Sequence, residues 1–335
     1  MKAITYQRYG GPEVLQLQEV DTPPIEESGV LVRVRAAAVN PYDWHFMRGE
    51  PYFMRLMFGL RAPKRHSLGV DFSGVVEAAG SAVTDFAPGD EVYGMADGAF
   101  AESVACPAVH LACKPATLSH EQAAAVPLAG LTALQGLRDA GQLQAGQRVL
   151  IVGASGGVGT FAVQIARALG ATVTAVCSTR NVEQARRLGA DHVIDYTQED
   201  FTQGGQRFDL IFDTVGNRSV AEYRQVLAPQ GRFVTTAFLP ALALLGPWLA
   251  LRGGPAMQNM LAKPNRADLD FLAGLLEAGK LAPVIDRCYP LAEAPAALHY
   301  VGAGHARGKV VIVPEAAATS ARASGHVMRD EGGLP

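Results

Sequence analysis

Over residues 30–35, Val30, Val32 and Val34 fall on one face and Leu31, Arg33 and Arg35 on the other. That is the period-two pattern of a strand with one buried side. A first strand is expected at residues 1–6, with further short strands at 74–77, 91–94 and 99–104. Turn signals separate them at Gly10-Gly11-Pro12, Thr22-Pro23-Pro24, Pro88-Gly89-Asp90 and Asp97-Gly98. Short strands and turns at regular spacing predict a partly closed β-barrel for residues 1–119.

The pattern changes after residue 119. Ser119 and Gln122 have the spacing of a capping box, which starts a helix running from 123 to 140 through Pro127 and Gly130. The apolar, β-branched run 149–152 reads as a buried parallel strand. Helical stripes then alternate with apolar runs. Strands are expected at 171–177, 192–195, 208–213 and 231–237, and helices at 160–169, 182–188 and 219–227. Alternation of this kind predicts a doubly wound parallel sheet for residues 120–281, with ligands at the carboxyl ends of its strands. Beyond it a helix is expected at 268–279, strands at 283–286 and 309–313, and a short helix at 295–300. The final strand is expected to return to the barrel, which makes 282–314 part of the first domain. Residues 315–335 carry no periodicity and read as a disordered tail.

Candidate chemistry centres on the turn between the 149–152 strand and the helix after it. Gly153, Ala154, Ser155, Gly156, Gly157, Val158 and Gly159 occupy that turn, with Ala154 standing where a dinucleotide fingerprint has its first glycine. Bare backbone at Gly156 and Gly157 lets a pyrophosphate approach the helix N-terminus, and Gly159 lets helix and strand pack closely. The next strand ends at Cys177, where an NAD-selective site has a carboxylate for the ribose. Ser178 and Arg180 follow instead, a hydroxyl and a guanidinium suited to a 2′-phosphate, so NADPH is the expected cofactor. The plain alternative is that Arg180 faces solvent beside the next helix.

Composition narrows the picture without redirecting it. The 335 residues are 49% hydrophobic and 18% charged with a net charge of -3, and scattered basic residues give no nucleic-acid footprint. The four cysteines form no C-x-x-C pair and the N-terminus has no signal-peptide pattern, so a cytoplasmic protein is expected. The longest apolar run, 238–251, is interrupted by Pro240, Gly246 and Pro247 and is too short for a membrane span. A pocket wall or a dimer surface is its expected role, with an interfacial membrane helix as a third reading.

Residues 37–44 (AAVNPYDW), 69–74 (GVDFSG), 88–94 (PGDEVYG), 125–132 (AVPLAGLT) and 302–312 with its Gly308-Lys309 pair resemble the medium-chain dehydrogenase/reductase superfamily. The stretches are similar to its zinc-independent, zeta-crystallin-like quinone oxidoreductase branch, and the resemblance runs from about residue 1 to 313. It implies a GroES-like barrel joined to a Rossmann sheet, and a homodimer. Where the zinc enzymes place their metal ligands this chain has Asn40, Val70 with Asp71, and Ala129, a set that lacks the N and S donors of a zinc site. The resemblance therefore implies no metal.

Without a Lewis acid, the chemistry favours acceptors that already delocalise negative charge, which are quinones and α,β-unsaturated carbonyls. The expected reaction is direct hydride transfer from NADPH to such a small molecule. Asn40 is the expected donor to the developing oxyanion, with Tyr42 and Asp43 as secondary candidates. His45 reads as a surface or wall residue, and Asp71 as a buried carboxylate against an arginine or a backbone turn. The resemblance places Thr132 by the nicotinamide, Tyr196 by the adenosine and Lys309 by the phosphates. Val215, Gly216, Ala237 and Phe238 are expected at strand ends facing the nicotinamide. Competing readings are an alkenal or ketol double-bond reductase of the same branch, a low-turnover NADPH-binding sensor or RNA-binding protein, and a zinc alcohol dehydrogenase.

Overall fold

The computed structural model describes residues 1–237, 239, 242 and 255–314. The expectations for Phe238, for the apolar run through residue 251 and for the 315–335 tail fall wholly or largely outside them.

Strand β1 (Lys2–Thr5) pairs with β2 (Gln16–Glu19), a strand with no alternation to announce it. The barrel is built on β3 (Gly29–Val39), where Val30, Val32 and Val34 are buried and Arg33 is exposed as the alternation requires. β3 pairs antiparallel with β4 (Asp71–Ala79), and β4 with β5 (Glu91–Met95). Strand β6 is Ser103–Pro107 and pairs with β3, so the strand expected at 99–104 begins four residues later. Residues 99–101 are instead buried in a turn where Phe100 N–H donates to Leu68 O. β7 (Leu111–Cys113) completes that side.

The helix expected at 123–140 is broken. It forms α3 (His120–Ala124) and α4 (Pro127–Leu134), and then widens to a π-helical segment at Gln135–Ala140. Proline has no N–H to donate, so the helical bond back to Ala123 O is lost and a new helix starts at Pro127, even though Val126 keeps helical backbone. The capping box on Ser119 and Gln122 is present as expected.

Next come β8 (Arg148–Val152), α4's neighbour α5 (Gly157–Ala168), β9 (Thr172–Cys177), α6 (Val182–Arg187), β10 (His192–Asp195), β11 (Phe208–Asp213), α7 (Val220–Val226) and β12 (Leu227–Thr235). A sixth strand, β13 (Ala256–Asn259), was not legible in the sequence. The six strands run parallel in the order β10-β9-β8-β11-β12-β13. Order reverses between β8 and β11, the place where open parallel sheets bind ligands. Helix α8 (Arg266–Glu277) leads to β14 (Ile285–Pro290), α9 (Ala294–Gly302) and β15 (Lys309–Val313). β15 pairs with β3, so the chain does return to the barrel sheet.

A GroES-like barrel sheet joined to a Rossmann-like parallel sheet is therefore the fold. One buried cluster runs from Tyr93 and Ala112 of the barrel through Leu131, Leu134 and Leu269 into Val149, Ile151 and Phe161 of the parallel sheet.

Candidate functional site

The site begins where β8 stops. Gly153 takes a φ of +83°, the left-handed region that glycine occupies without strain, and a Cβ there would strike Thr214 and Val215. Gly156 caps α5 with extended backbone, and a Cβ on it would meet only Gly153 O, at 3.5 Å. Gly159 faces Gly153 O so closely that no side chain fits, which draws helix and strand together. The first N–H groups of α5, from Gly157, Val158 and Gly159, have no partner within the helix. An open, side-chain-free surface over a helix N-terminus is a cradle for an anion. These residues fit the pyrophosphate of a dinucleotide.

At the end of β9, Asn181 Nδ2 donates to Ser155 Oγ at 3.0 Å and to Ser178 Oγ at 3.1 Å. Both hydroxyls keep their own hydrogens for another acceptor. Asn181 is buried and its Oδ1 has no partner among the described residues. Its position just before the 182–188 helical stripe could have marked it as a cap residue. Arg180 is exposed and donates to His305 O at 3.4 Å, while Arg307 donates to Arg180 O at 3.0 Å. Arg307 is thus a second guanidinium at this corner that the sequence did not single out. Tyr196 N–H donates to Cys177 O at 3.1 Å, which sets its exposed ring beside the end of β9.

The ends of β11 and β12 are organised by Asp213. Buried, it accepts from the N–H groups of Val215 and Gly216 at 2.9 and 3.1 Å and from Thr235 Oγ1 at 3.1 Å. Gly216 has a φ of +72° and leans on Ala237, so that a Cβ on it would collide. Gly153, Val215, Gly216 and Ala237 thus line one mouth at the switch point.

The candidate catalytic residues form a buried network across the barrel. Lys309 Nζ donates to Asn40 Oδ1 at 2.5 Å and to Asp71 Oδ2 at 3.1 Å. Asn40 Nδ2 donates to Asp71 Oδ2 at 3.0 Å and to Ala38 O at 3.2 Å. Asp71 Oδ1 accepts the N–H of Leu128 at 2.8 Å, tying the barrel to the first turn of α4. Two expectations change here. Both hydrogens of the Asn40 amide are engaged, and its oxygen faces an ammonium, which only donates. The amide therefore has no hydrogen left for an oxyanion. Asp71 is paired with Lys309, not with an arginine. Lys309 turns its ammonium into this network, while its side-chain stem lies beside Gly157 of the glycine turn.

Asp43 lies in α1 (Pro41–Arg48) and accepts from Asn40 N–H at 2.8 Å and Gly69 N–H at 3.0 Å. Complete burial, with Asp71 nearby, pushes its carboxyl up to about 7 against the pull of these two N–H groups and of Lys309. Tyr42 stacks on Phe46 at 4.1 Å between centroids. Desolvation is the first cause that pushes its phenol up to about 12, so it is an O–H donor at neutral pH. Thr132 is buried and donates to Leu128 O at 2.6 Å within α4.

The donor set does not fit zinc. Asn40 and Asp71, which the resemblance sets at the zinc enzymes' ligand positions, already share the Lys309 ammonium, and a cation among them repels a second one. Among the described residues no group of three or more His, Cys, Asp or Glu is gathered as metal ligands. No helix among them is long and apolar enough to cross a membrane.

Two family models match the chain. The alcohol dehydrogenase GroES-like domain covers residues 26–116, and the zinc-binding dehydrogenase model covers residues 188–312. The chain is 36% identical to the mitochondrial NAD(P)H oxidoreductase RTN4IP1 of Mus musculus, over 93% of this chain and 89% of that one. It is 33% identical to the chloroplastic NADPH-dependent alkenal/one oxidoreductase of Arabidopsis thaliana, over 94% and 80%. Among solved structures, the quinone oxidoreductase of Coxiella burnetii superposes with a TM-score of 0.84 at 34% identity, covering 93% of this chain and 99% of that one.

Proposed function

The chain belongs to the quinone oxidoreductase branch of the medium-chain dehydrogenase/reductase superfamily and is an NAD(P)H-dependent oxidoreductase, and from that premise we propose that it reduces a quinone or an α,β-unsaturated carbonyl without zinc. The observation that carries the proposal is the buried Lys309 ammonium between Asn40 and Asp71, where a metal would otherwise be held. Relatives named for alkenal/one and quinone substrates support both acceptor classes. NADPH, when bound, supplies the hydride.

Each part of the chain has a task in this reading. The 153–159 turn holds the pyrophosphate. Ser155, Ser178, Arg180 and Arg307 meet a 2′-phosphate, with Tyr196 against the adenosine, and this arrangement favours NADPH over NADH. Val215, Gly216, Ala237 and Thr132 flank the nicotinamide, with Phe238 expected beside them. Lys309 and Asp71 lock Asn40 and anchor the start of α4, which fixes Thr132. Tyr42, held protonated, gives the hydrogen bond to the developing oxyanion in place of Asn40. Residues 1–119 with 282–314 form the catalytic domain, and 120–281 the nucleotide domain. Cytoplasmic residence and a homodimer complete the reading, and sedimentation analysis tests the second.

The test is oxidation of NADPH and of NADH by metal-analysed protein against 1,4-quinones, enones, ketones and alcohols. Turnover of quinones or enones by zinc-free protein is expected. Turnover of alcohols alone with bound zinc rejects the reading. Tyr42→Phe lowers kcat on the order of a hundredfold with the KM for NADPH unchanged. Arg180→Gln raises the KM for NADPH roughly tenfold and leaves NADH untouched.

A further inference from the structure

An outward apolar face stands on the segment that follows α1. Residues 52–54 form a turn of 3₁₀-helix and lead directly into α2 (Arg55–Phe58). Tyr52 and Leu56 lie four residues apart along this helical run, with Met57 adjacent, and Leu60 follows just past Gly59, whose φ of +122° ends the helix. An amphipathic segment on a barrel should turn its apolar side inward. Here it is turned out, with Tyr52 68%, Leu56 75%, Met57 69% and Leu60 66% exposed. Met54 and Phe58, the inward residues, pack on the barrel core, and Phe58 lies 4.5 Å from Phe46 between ring centroids.

The segment is a held platform. Arg55 sits over the rings of Tyr9 and Tyr52 at 4.5 and 4.8 Å and donates to Gly49 O and Arg48 O. Tyr9 Oη donates to Gly59 O at 2.8 Å. The charges carried by the segment itself have one sign. Residues 51–65 contain Arg55, Arg61, Lys64 and Arg65 and no acidic residue, in a chain whose net charge is -3. Arg65 is paired with Asp97, whereas Arg61 and Lys64 are exposed and have no carboxylate partner among the described residues. Lys64 Nζ reaches only Met57 O, at 3.4 Å.

We propose that this face docks on an anionic lipid bilayer, with Tyr52, Leu56, Met57 and Leu60 entering the headgroup boundary and Arg61 and Lys64 pairing with lipid phosphates. Apolar side chains lying in the interface with lysine and arginine beside them are the chemistry of a peripheral anchor. Charge complementarity decides against a second copy of the chain. A two-fold contact sets the same patch against itself, which would crowd Arg61 and Lys64 against their equivalents. The docking does not depend on which acceptor is reduced.

The test is flotation of the full-length protein with vesicles of phosphatidylcholine alone and of phosphatidylcholine with phosphatidylglycerol. Flotation on the anionic vesicles, weakened by salt, is expected. The variants Leu56→Ser/Met57→Ser/Leu60→Ser and Arg61→Gln/Lys64→Gln each weaken it roughly tenfold or more. NADPH binding followed by fluorescence stays unchanged in both, which shows that they fold. Absent flotation, equal flotation on both compositions, or unchanged flotation of either variant overturns the proposal. So does a dimer in sedimentation that the triple serine variant dissociates, since the face would then belong to a second copy.

Discussion

Asp43 shows how much a single side chain here depends on its surroundings. Its two oxygens each accept a backbone N–H, from Asn40 and from Gly69, and both sit in the interior. In Asp43→Asn the amide nitrogen must face one of those N–H groups, a donor against a donor. We expect a loss of about 1–3 kcal/mol at acid pH. Because burial raises the folded carboxyl to about 7, the folded state holds a proton that the unfolded chain releases at lower pH. Stability from this group is therefore present in acid and falls as pH rises from the ordinary carboxylate range to about 7. The advantage of wild type over Asp43→Asn should shrink across that window and be flat above it, as denaturant melts at stepped pH would show. An advantage that grows with pH would mean that the carboxyl stays ionised when buried. The sequence marked Asn40, Tyr42 and Asp43 as a group, but which atom faces which was not legible. Lys309 reaches Asn40 from 269 positions away, and one-dimensional spacing holds no record of such a contact.

Elements were legible in proportion to how local their causes are. The strand–turn–helix around Gly153 is dictated within about twenty residues, so β8 and the glycine turn lie where the pattern puts them, while α5 starts at Gly157, three residues ahead of the expected 160, with Gly156 as its cap. The helix over 123–140 was misread because its apolar density hides the break at Pro127, and β13 pairs only through its neighbour β12. The same locality makes the turn testable. A methyl group on Gly159 has to displace Gly153 O and the Ala154 backbone, neither of which is a flexible side-chain end. Gly159→Ala should cost about 1–3 kcal/mol of stability and weaken NADPH binding, since the helix N-terminus shifts away from the strand. Gly146→Ala is a control of the opposite kind. Nothing lies near its Cβ, its φ is +81°, and its cost is backbone strain without loss of cofactor affinity. Equal NADPH affinity in Gly159→Ala and wild type would remove the close approach from the binding argument.

At the scale of the whole molecule, the two sheets are joined by more than the chain that links them. Tyr93 of β5 is buried and donates to Leu269 O of α8 at 2.6 Å, while Asp71 of β4 accepts the Leu128 N–H of α4. The apolar cluster containing Tyr93 continues without interruption to Phe161 and Val173 of the nucleotide sheet. An interface built like a core couples the stability of its two sides, so calorimetry should show one unfolding transition. Tyr93→Phe keeps the ring and removes the hydroxyl that Leu269 O accepts from across the interface, leaving that carbonyl its helix bond alone, at a cost of about 0.5–1.5 kcal/mol. The variant should lower that single transition without splitting it. NADPH at a hundredfold excess over its Kd should then raise the whole transition, by about 2.7 kcal/mol in wild type, although the proposed cofactor contacts lie mainly on one of the two sheets. Two transitions, with NADPH moving only one, would mean that the barrel and the nucleotide fold are stable independently and that the Asp71–Leu128 link transmits nothing between them.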